Sequence, residues 1–249
     1  MEVGLMSLFW ISALAVLAAY TVKGLTGFAN TLVFSTIMSF FPYDLSRITP
    51  LELVLGTPSN FFIAIRERKG FRLRVVAPLS ALMIAGCIPG ALFLKFGDPA
   101  LIKTLFGVGV TLVGLETLLI DRLKLKPNRL VLGIIGITAG VMCGMYGIGA
   151  LLVAYVTRTT KSPTEFRANV CFVFILVDIF RAILYITTGI FTVEIFLTAL
   201  KLAPFMVVGM GLGTLLAGRL QPQLVSRIIM ILLVLSGISL TVTNLLVLL

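Results

Sequence analysis

In YTVKGLTGFANTLVF, residues 20–34, a lysine and two glycines interrupt a stretch that is otherwise apolar from residue 5 to about residue 41. A charge at the centre of an inserted helix costs about 2.5–3.5 kcal/mol on insertion scales. Glycine weakens a helix interior by about 1 kcal/mol relative to alanine. A chain that accepts both costs at one place must gain something there, and the surroundings say in what medium. Of the 249 residues 59% are hydrophobic and 12% charged, with a mean hydropathy of +1.14. A soluble domain carries roughly 25% charged residues, so this is the composition of an integral membrane protein.

Apolar segments run over 5–22, 27–41, 46–65, 75–96, 100–120, 130–142, 147–157, 168–189, 193–218 and 223–248. They are continuous rather than alternating, which predicts an all-α polytopic protein of about eight to ten helical segments and makes an outer-membrane barrel a poor alternative. The first segment lacks a basic leader and a small-residue cleavage site, so it is expected to stay as a helix. The net charge of +10 lies in short connectors, where it carries orientation rather than a nucleic-acid stripe. The cysteines Cys87, Cys143 and Cys171 have no metal-ligand spacing, and there is no histidine. No metal, cofactor or nucleic acid is expected.

The opening stretch has a counterpart. At an offset of 120, KGLTGFANTLV from Lys23 lies over CGMYGIGALLV from Cys143, pairing Gly24 with Gly144, Gly27 with Gly147 and, further on, Arg47 with Arg167. An offset of 123 pairs Gly86 with Gly209, Gly90 with Gly213, Pro99 with Pro222 and Gly114 with Gly237. The chain reads as a duplication, 1–122 and 123–249. Segments 130–142 and 147–157 are each too short to cross a bilayer at 1.5 Å per residue. Either they form one long broken helix, or they form a re-entrant hairpin with its tip inside the membrane. If both glycine-broken segments return to their side of entry, 14 Lys and Arg residues share one face against Arg47, Lys95 and Lys103 on the other; if each crosses once, the split is 9 to 8. The positive-inside bias favours the hairpins, places both termini outside, and makes the repeats inverted.

Inverted repeats with glycine-broken helices at matching positions are the sequence mark of secondary transporters. Irregular backbone survives in hydrocarbon only when buried in protein or lining a polar cavity. Helices starting near Gly27 and Gly147 would aim unpaired N–H groups and positive dipole ends at such a cavity, which suits an anion. Lys23 adds a full charge, and Asn30 and Tyr146 add donors; Cys143 adjoins the second tip. The competing reading is that these glycines only allow close helix packing. Asp178 and Arg181 stand i, i+3 on one helix face, either as part of a binding site or as a self-neutralising structural pair. Glu52 and Glu116 are further intramembrane acids able to carry a coupling proton. Lys201 is placed to snorkel. Pro50, Pro58, Pro78, Pro89 and Pro204 permit kinks.

GLTGFANTLVF, PLELVLGTPSNFFIAIRERKGFR and GCIPGALFLKFGDPALIKTLFGVGVTLVGLETLL resemble the first repeat of the TauE/SafE sulfite exporter family, and GITAGVMCGMYGIGALLVAYVT resembles the opening of its second. The resemblance covers nearly the whole chain. It implies a prokaryotic inner-membrane transporter, not an enzyme, that moves small sulfur-containing anions such as sulfite or sulfonates, usually outward. Carried over by position, the tip residues are Gly24, Gly27 and Phe28, with Gly144, Gly147, Ile148 and Gly149. An anion channel with the same site, or a membrane subunit docking a partner through the basic loop RERKGFRLR, are the alternatives that sequence leaves open.

Overall fold

The computed structural model describes residues 2–41, 44–119, 129–217 and 222–248. Among them are ten α-helices: α1 Glu2–Thr26, α2 Asn30–Ser39, α3 Leu45–Arg66, α4 Leu73–Phe96, α5 Pro99–Leu119, α6 Arg129–Tyr146, α7 Ala150–Thr159, α8 Pro163–Thr187, α9 Val193–Leu216 and α10 Pro222–Leu248. Seven of these (α1, α3, α4, α5, α8, α9 and α10) are long and apolar enough to cross a membrane. The chain is a multi-pass membrane protein. Of the basic residues used to orient it, Arg122, Lys124, Lys126 and Arg219 lie outside the described residues.

Two boundaries differ from the sequence reading for identifiable reasons. Lys23 and Gly24 are not in the first break but inside α1, and Cys143 and Gly144 are likewise inside α6. The chain leaves the helix only at Gly27 and Gly147, both at positive φ (89° and 74°), a region that costs an L-residue about 1–2 kcal/mol. The start of α8 moves to Pro163 because Ser162 caps it, accepting the Glu165 N–H at 3.2 Å with proline in the first turn.

Small residues decide which helices meet. A methyl group on Gly86 or Gly90 in α4 would collide with the Ile137 or Val141 carbonyl of α6, and one on Gly209 or Gly213 in α9 with the Leu17 or Thr21 carbonyl of α1. Gly24 and Gly144 sit in these same seams: their Cβ positions fall 2.6 Å from the Met210 carbonyl and 2.5 Å from the Cys87 carbonyl. Backbones approach this closely where hydrophobic driving force between helices is absent and packing must supply the attraction.

The main pairings are α4 with α6, α1 with α9, α5 with α10 and α3 with α8, followed by α4 with α8 and α3 with α9. Exchanging α1–α5 for α6–α10, element for element, carries this set onto itself. The helices that pair with their own counterparts run antiparallel. In α5 and α10, Gly107 meets Gly237 and Thr241 while Gly114 meets Met230 and Val234. Beyond the end of α3, the Arg72 N–H donates to Asn169 Oδ1 (2.8 Å) and Arg72 Nε pairs with Glu165 Oε1 (2.9 Å) near the start of α8. At the start of α3, Arg47 lies 3.9 Å from Glu194, just past the end of α8. The outer faces of α9 and α10 expose Val207, Leu212, Leu215, Ile228, Leu232 and Leu235, an apolar band suited to lipid.

Candidate functional site

Both helix breaks line one cavity of about 40 Å³, walled on its other sides by α3 and α8. The breaks share a backbone template. The Gly27 N–H donates to the Lys23 carbonyl (2.7 Å) and the Gly147 N–H to that of Cys143 (2.8 Å). Helical bonding resumes when Val33 donates to Ala29 (3.1 Å) and Val153 to Gly149 (2.9 Å). The N–H groups of each first turn, ahead of those bonds, have no intrahelical acceptor. On α8 and α9 such groups are capped by the side chains of Ser162 and Thr192, whereas α3 and α4 start without a side-chain cap. At α2 and α7 the cap residues are Ala29 and Gly149, and neither offers a side-chain acceptor. Two ten-residue helices therefore present uncapped, electropositive ends at the cavity.

Four buried charges stand around it: Lys23 (2% exposed), Glu52 (3%), Asp178 (5%) and Arg181 (1%). Burying an ion without partners costs several kcal/mol, and three of the four are linked in a chain. Lys23 Nζ donates to Asn60 Oδ1 (2.8 Å), and Asn60 Nδ2 donates to Asp178 Oδ2 (3.1 Å). Asp178 Oδ1 accepts from Arg181 Nη1 (3.0 Å), while Thr57 adds a long bond to Oδ2 (3.4 Å). Lys23 also occupies the last turn of α1, where a cation meets the negative end of the helix dipole. Arg181 Nη2 reaches the Tyr185 hydroxyl (3.4 Å), which donates to the Gly144 carbonyl (2.5 Å). Arg181 Nε is buried with no hydrogen-bond partner. Such an orphaned donor costs about 1–3 kcal/mol, and it belongs to a residue that lines the cavity.

Ten of the residues singled out from the sequence line this cavity: Lys23, Gly27, Phe28, Asn30, Glu52, Gly147, Ile148, Gly149, Asp178 and Arg181. Five do not. Gly24 and Gly144 face partner helices, as described above. The Tyr146 hydroxyl donates to the Ile102 carbonyl (3.0 Å) and its ring packs edge-on against Phe106, so it binds α6 to α5. Cys143 lies behind Arg181, with its sulfur 3.7 Å from Nη1. Glu116 is half-buried on α5, away from the cavity. Among the described residues no group of His, Cys, Asp or Glu is arranged to hold a metal.

Asn60, Thr31, Ala29 and Phe174 also line the cavity and were not anticipated. A signal for Asn60 existed. Glu52, Gly56 and Asn60 recur at i, i+4 and i+8, a single helix face, and all three line the cavity.

The sequence profile of the sulfite exporter TauE/SafE family matches residues 12–240. The chain belongs to the TauE/SafE family. No curated protein and no solved structure gives a significant match. TauE/SafE proteins are membrane transporters of sulfur-containing anions rather than enzymes, and among the described residues four of the five buried charges of this TauE/SafE chain line the polar centre described here.

Proposed function

We propose that this protein is a secondary carrier that exports a small sulfur-containing anion, sulfite or a compact organosulfonate, by binding it between the two helix breaks near the bilayer midplane. The observation that carries the reading is the convergence of two uncapped helix N-termini and two buried cations, Lys23 and Arg181, on one cavity. Anion oxygens fit first-turn N–H groups without further chemistry, and the orphaned Arg181 Nε has a donor to spare. A volume of about 40 Å³ suits a small oxyanion or a few waters, not a bulky solute.

Residues 1–122 and 123–249 act as inverted repeats that rock against each other about this site, which alternates its access. The exchange symmetry of the helix pairings and the antiparallel α3–α8 and α5–α10 pairs support that inversion. At 1.5 Å per residue, α2 and α7 are each about 15 Å long, half of a ~30 Å hydrocarbon core, which supports re-entrant hairpins. With hairpins, the loops 66–74 and 158–162 share the cytoplasmic face and both termini lie outside. The contacts of Arg72 with Glu165 and Asn169 agree with that arrangement.

The test is sulfite flux in proteoliposomes. Lys23→Ala removes one of the two cations and is expected to abolish uptake while the purified variant keeps its elution profile and cooperative unfolding. Wild-type flux in that variant would overturn the cradle.

A further inference from the structure

Glu52 does not fit a simple anion cradle: a carboxylate stands where the anion should go. Its Oε1 accepts from Nδ2 of Asn30, the first residue of α2, and lies 3.5 Å from the Tyr20 hydroxyl. Its other oxygen faces the second break, since a methyl group on Gly147 would sit 3.5 Å from Oε2 and 3.2 Å from Arg181 Nη2. The missing side chain at Gly56, one turn on, gives the carboxylate its room; a methyl there would lie 3.0 Å from Oε1. One carboxylate thus touches both breaks. Asp178 differs, because Arg181, Asn60 and Thr57 already hold both of its oxygens. Among the described residues Glu52 makes no ion pair.

We propose that Glu52 is a resident anion. Its carboxylate fills the cradle when no substrate is bound, and it takes up a proton and gives way when a substrate anion arrives, so that anion and proton travel together. The proposal rests on the transport reading above and adds the coupling ion and its carrier.

Charge balance argues for it. The titratable groups facing Glu52 are Tyr20 and Lys23 from α1 and Cys171, Asp178 and Arg181 from α8, with Cys143 of α6 behind Arg181. The residues that α2 and α7 bring to the cavity are uncharged. With Lys23 and Arg181 positive and Glu52 and Asp178 negative, the empty site is neutral. Two like charges 4 Å apart repel by about 4 kcal/mol at an effective dielectric of 20, roughly three times the free energy of one pH unit. A substrate anion beside Glu52 is therefore met more cheaply by protonating the carboxylate than by holding both charges. By reciprocity, a proton on Glu52 favours anion binding to the same extent.

The experiment is calorimetric binding to the purified full-length protein from pH 6 to 8, in buffers of different ionisation enthalpy. The probes are sulfite, with its own protonation subtracted, and thiosulfate, which brings no proton at these pH values. Wild-type protein is expected to take up about one proton per anion, so that affinity falls about tenfold per pH unit on the alkaline side. Glu52→Gln removes the charge and keeps the Asn30 acceptor. It is expected to bind at least tenfold tighter at pH 8, with a flat pH profile and no proton uptake. A wild type that binds without taking up protons overturns the proposal, and this measurement needs no variant. A Glu52→Gln protein that keeps the proton count also overturns it and leaves the carrier reading standing. If neither anion binds the wild type at any pH, the transport reading falls and this proposal with it.

Discussion

The two helix breaks are built on one backbone template and furnished differently. Each leaves its helix at a glycine of positive φ, hydrogen-bonds back four residues, and starts a ten-residue helix with no side-chain cap. At the first break two of the polar groups are its own, Lys23 before it and Asn30 after it, with the Arg167 side chain beside Gly27. At the second the corresponding residues are Cys143 and Ala150, and the polar groups come from elsewhere, Arg181 and Glu52 pressing on Gly147. The backbone thus supplies two similar electropositive ends, while α1, α3 and α8 supply the charge. Lys23 is not alone as a buried cation at the cavity, as the contrast of Lys23 with Cys143 alone would suggest, because Arg181 lines it as well.

The largest expected effect follows from that difference. Gly147→Ala and Gly27→Ala both force an L-residue to positive φ, at about 1–2 kcal/mol each. Their neighbours are unlike. A methyl on Gly147 lies 3.0 Å from Thr31 Cγ2 and 3.2 Å from Arg181 Nη2, in the middle of the cavity. A methyl on Gly27 comes nearest the Arg167 side chain, 3.3 Å from Nε, which is half-buried and able to swing aside. Gly147→Ala should weaken sulfite binding by more than about tenfold, since 1.4 kcal/mol of misplaced contact suffices for that; Gly27→Ala should weaken it by much less. Equal losses in a titration would mean that the two breaks contribute alike.

How much of this was legible in advance follows from what each feature depends on. Helix number and the two breaks were open to reading because length, hydropathy and glycine spacing are local. Lys23 and Arg181 announced themselves because charge is rare in hydrocarbon. The roles of Gly24, Gly144 and Tyr146 were not legible. Whether a glycine near a break lines a cavity or a helix seam depends on which side of the helix the partner packs, and a sequence window does not contain the partner. Asn60 was overlooked for a related reason. Taken singly it is one polar residue on α3, and it gains meaning only when Lys23 and Asp178 are seen at its two ends.

The seam glycines provide a second, smaller contrast. Gly24→Ala places a methyl 2.6 Å from the Met210 carbonyl and 2.8 Å from Gly213 Cα; Gly144→Ala places one 2.5 Å from the Cys87 carbonyl and 2.9 Å from Cys87 Cα. Both pairs must move apart, and overpacking of this kind costs about 1–3 kcal/mol. The two variants should lose similar stability in thermal unfolding, and the anion affinity of the folded fraction should hold. If Gly144→Ala alone lost affinity, the second break would be coupled to α4 in a way the first is not to α9. Tyr185 would be the connection, because its hydroxyl joins the Gly144 carbonyl to Arg181.

The smallest effect concerns the residue that closes each break. Ala29 holds φ 72° and ψ 1°, the left-handed region, whereas Gly149 sits at φ −111° and needs to be glycine for space, with Phe174 where its side chain would go. Strain and residue type are thus crossed: the alanine has the glycine conformation, and the glycine does not. Ala29→Gly removes a left-handed cost of about 1–2 kcal/mol, offset by the 0.5–1 kcal/mol or so that glycine's extra freedom adds to the unfolded chain. The net expectation is a gain of up to about 1.5 kcal/mol, visible as a rise in unfolding temperature. A fall instead would mean that the alanine methyl, packed against the core beneath α2, contributes more than its backbone strain removes. In that case the first break would be held by side-chain packing and the second by backbone clearance.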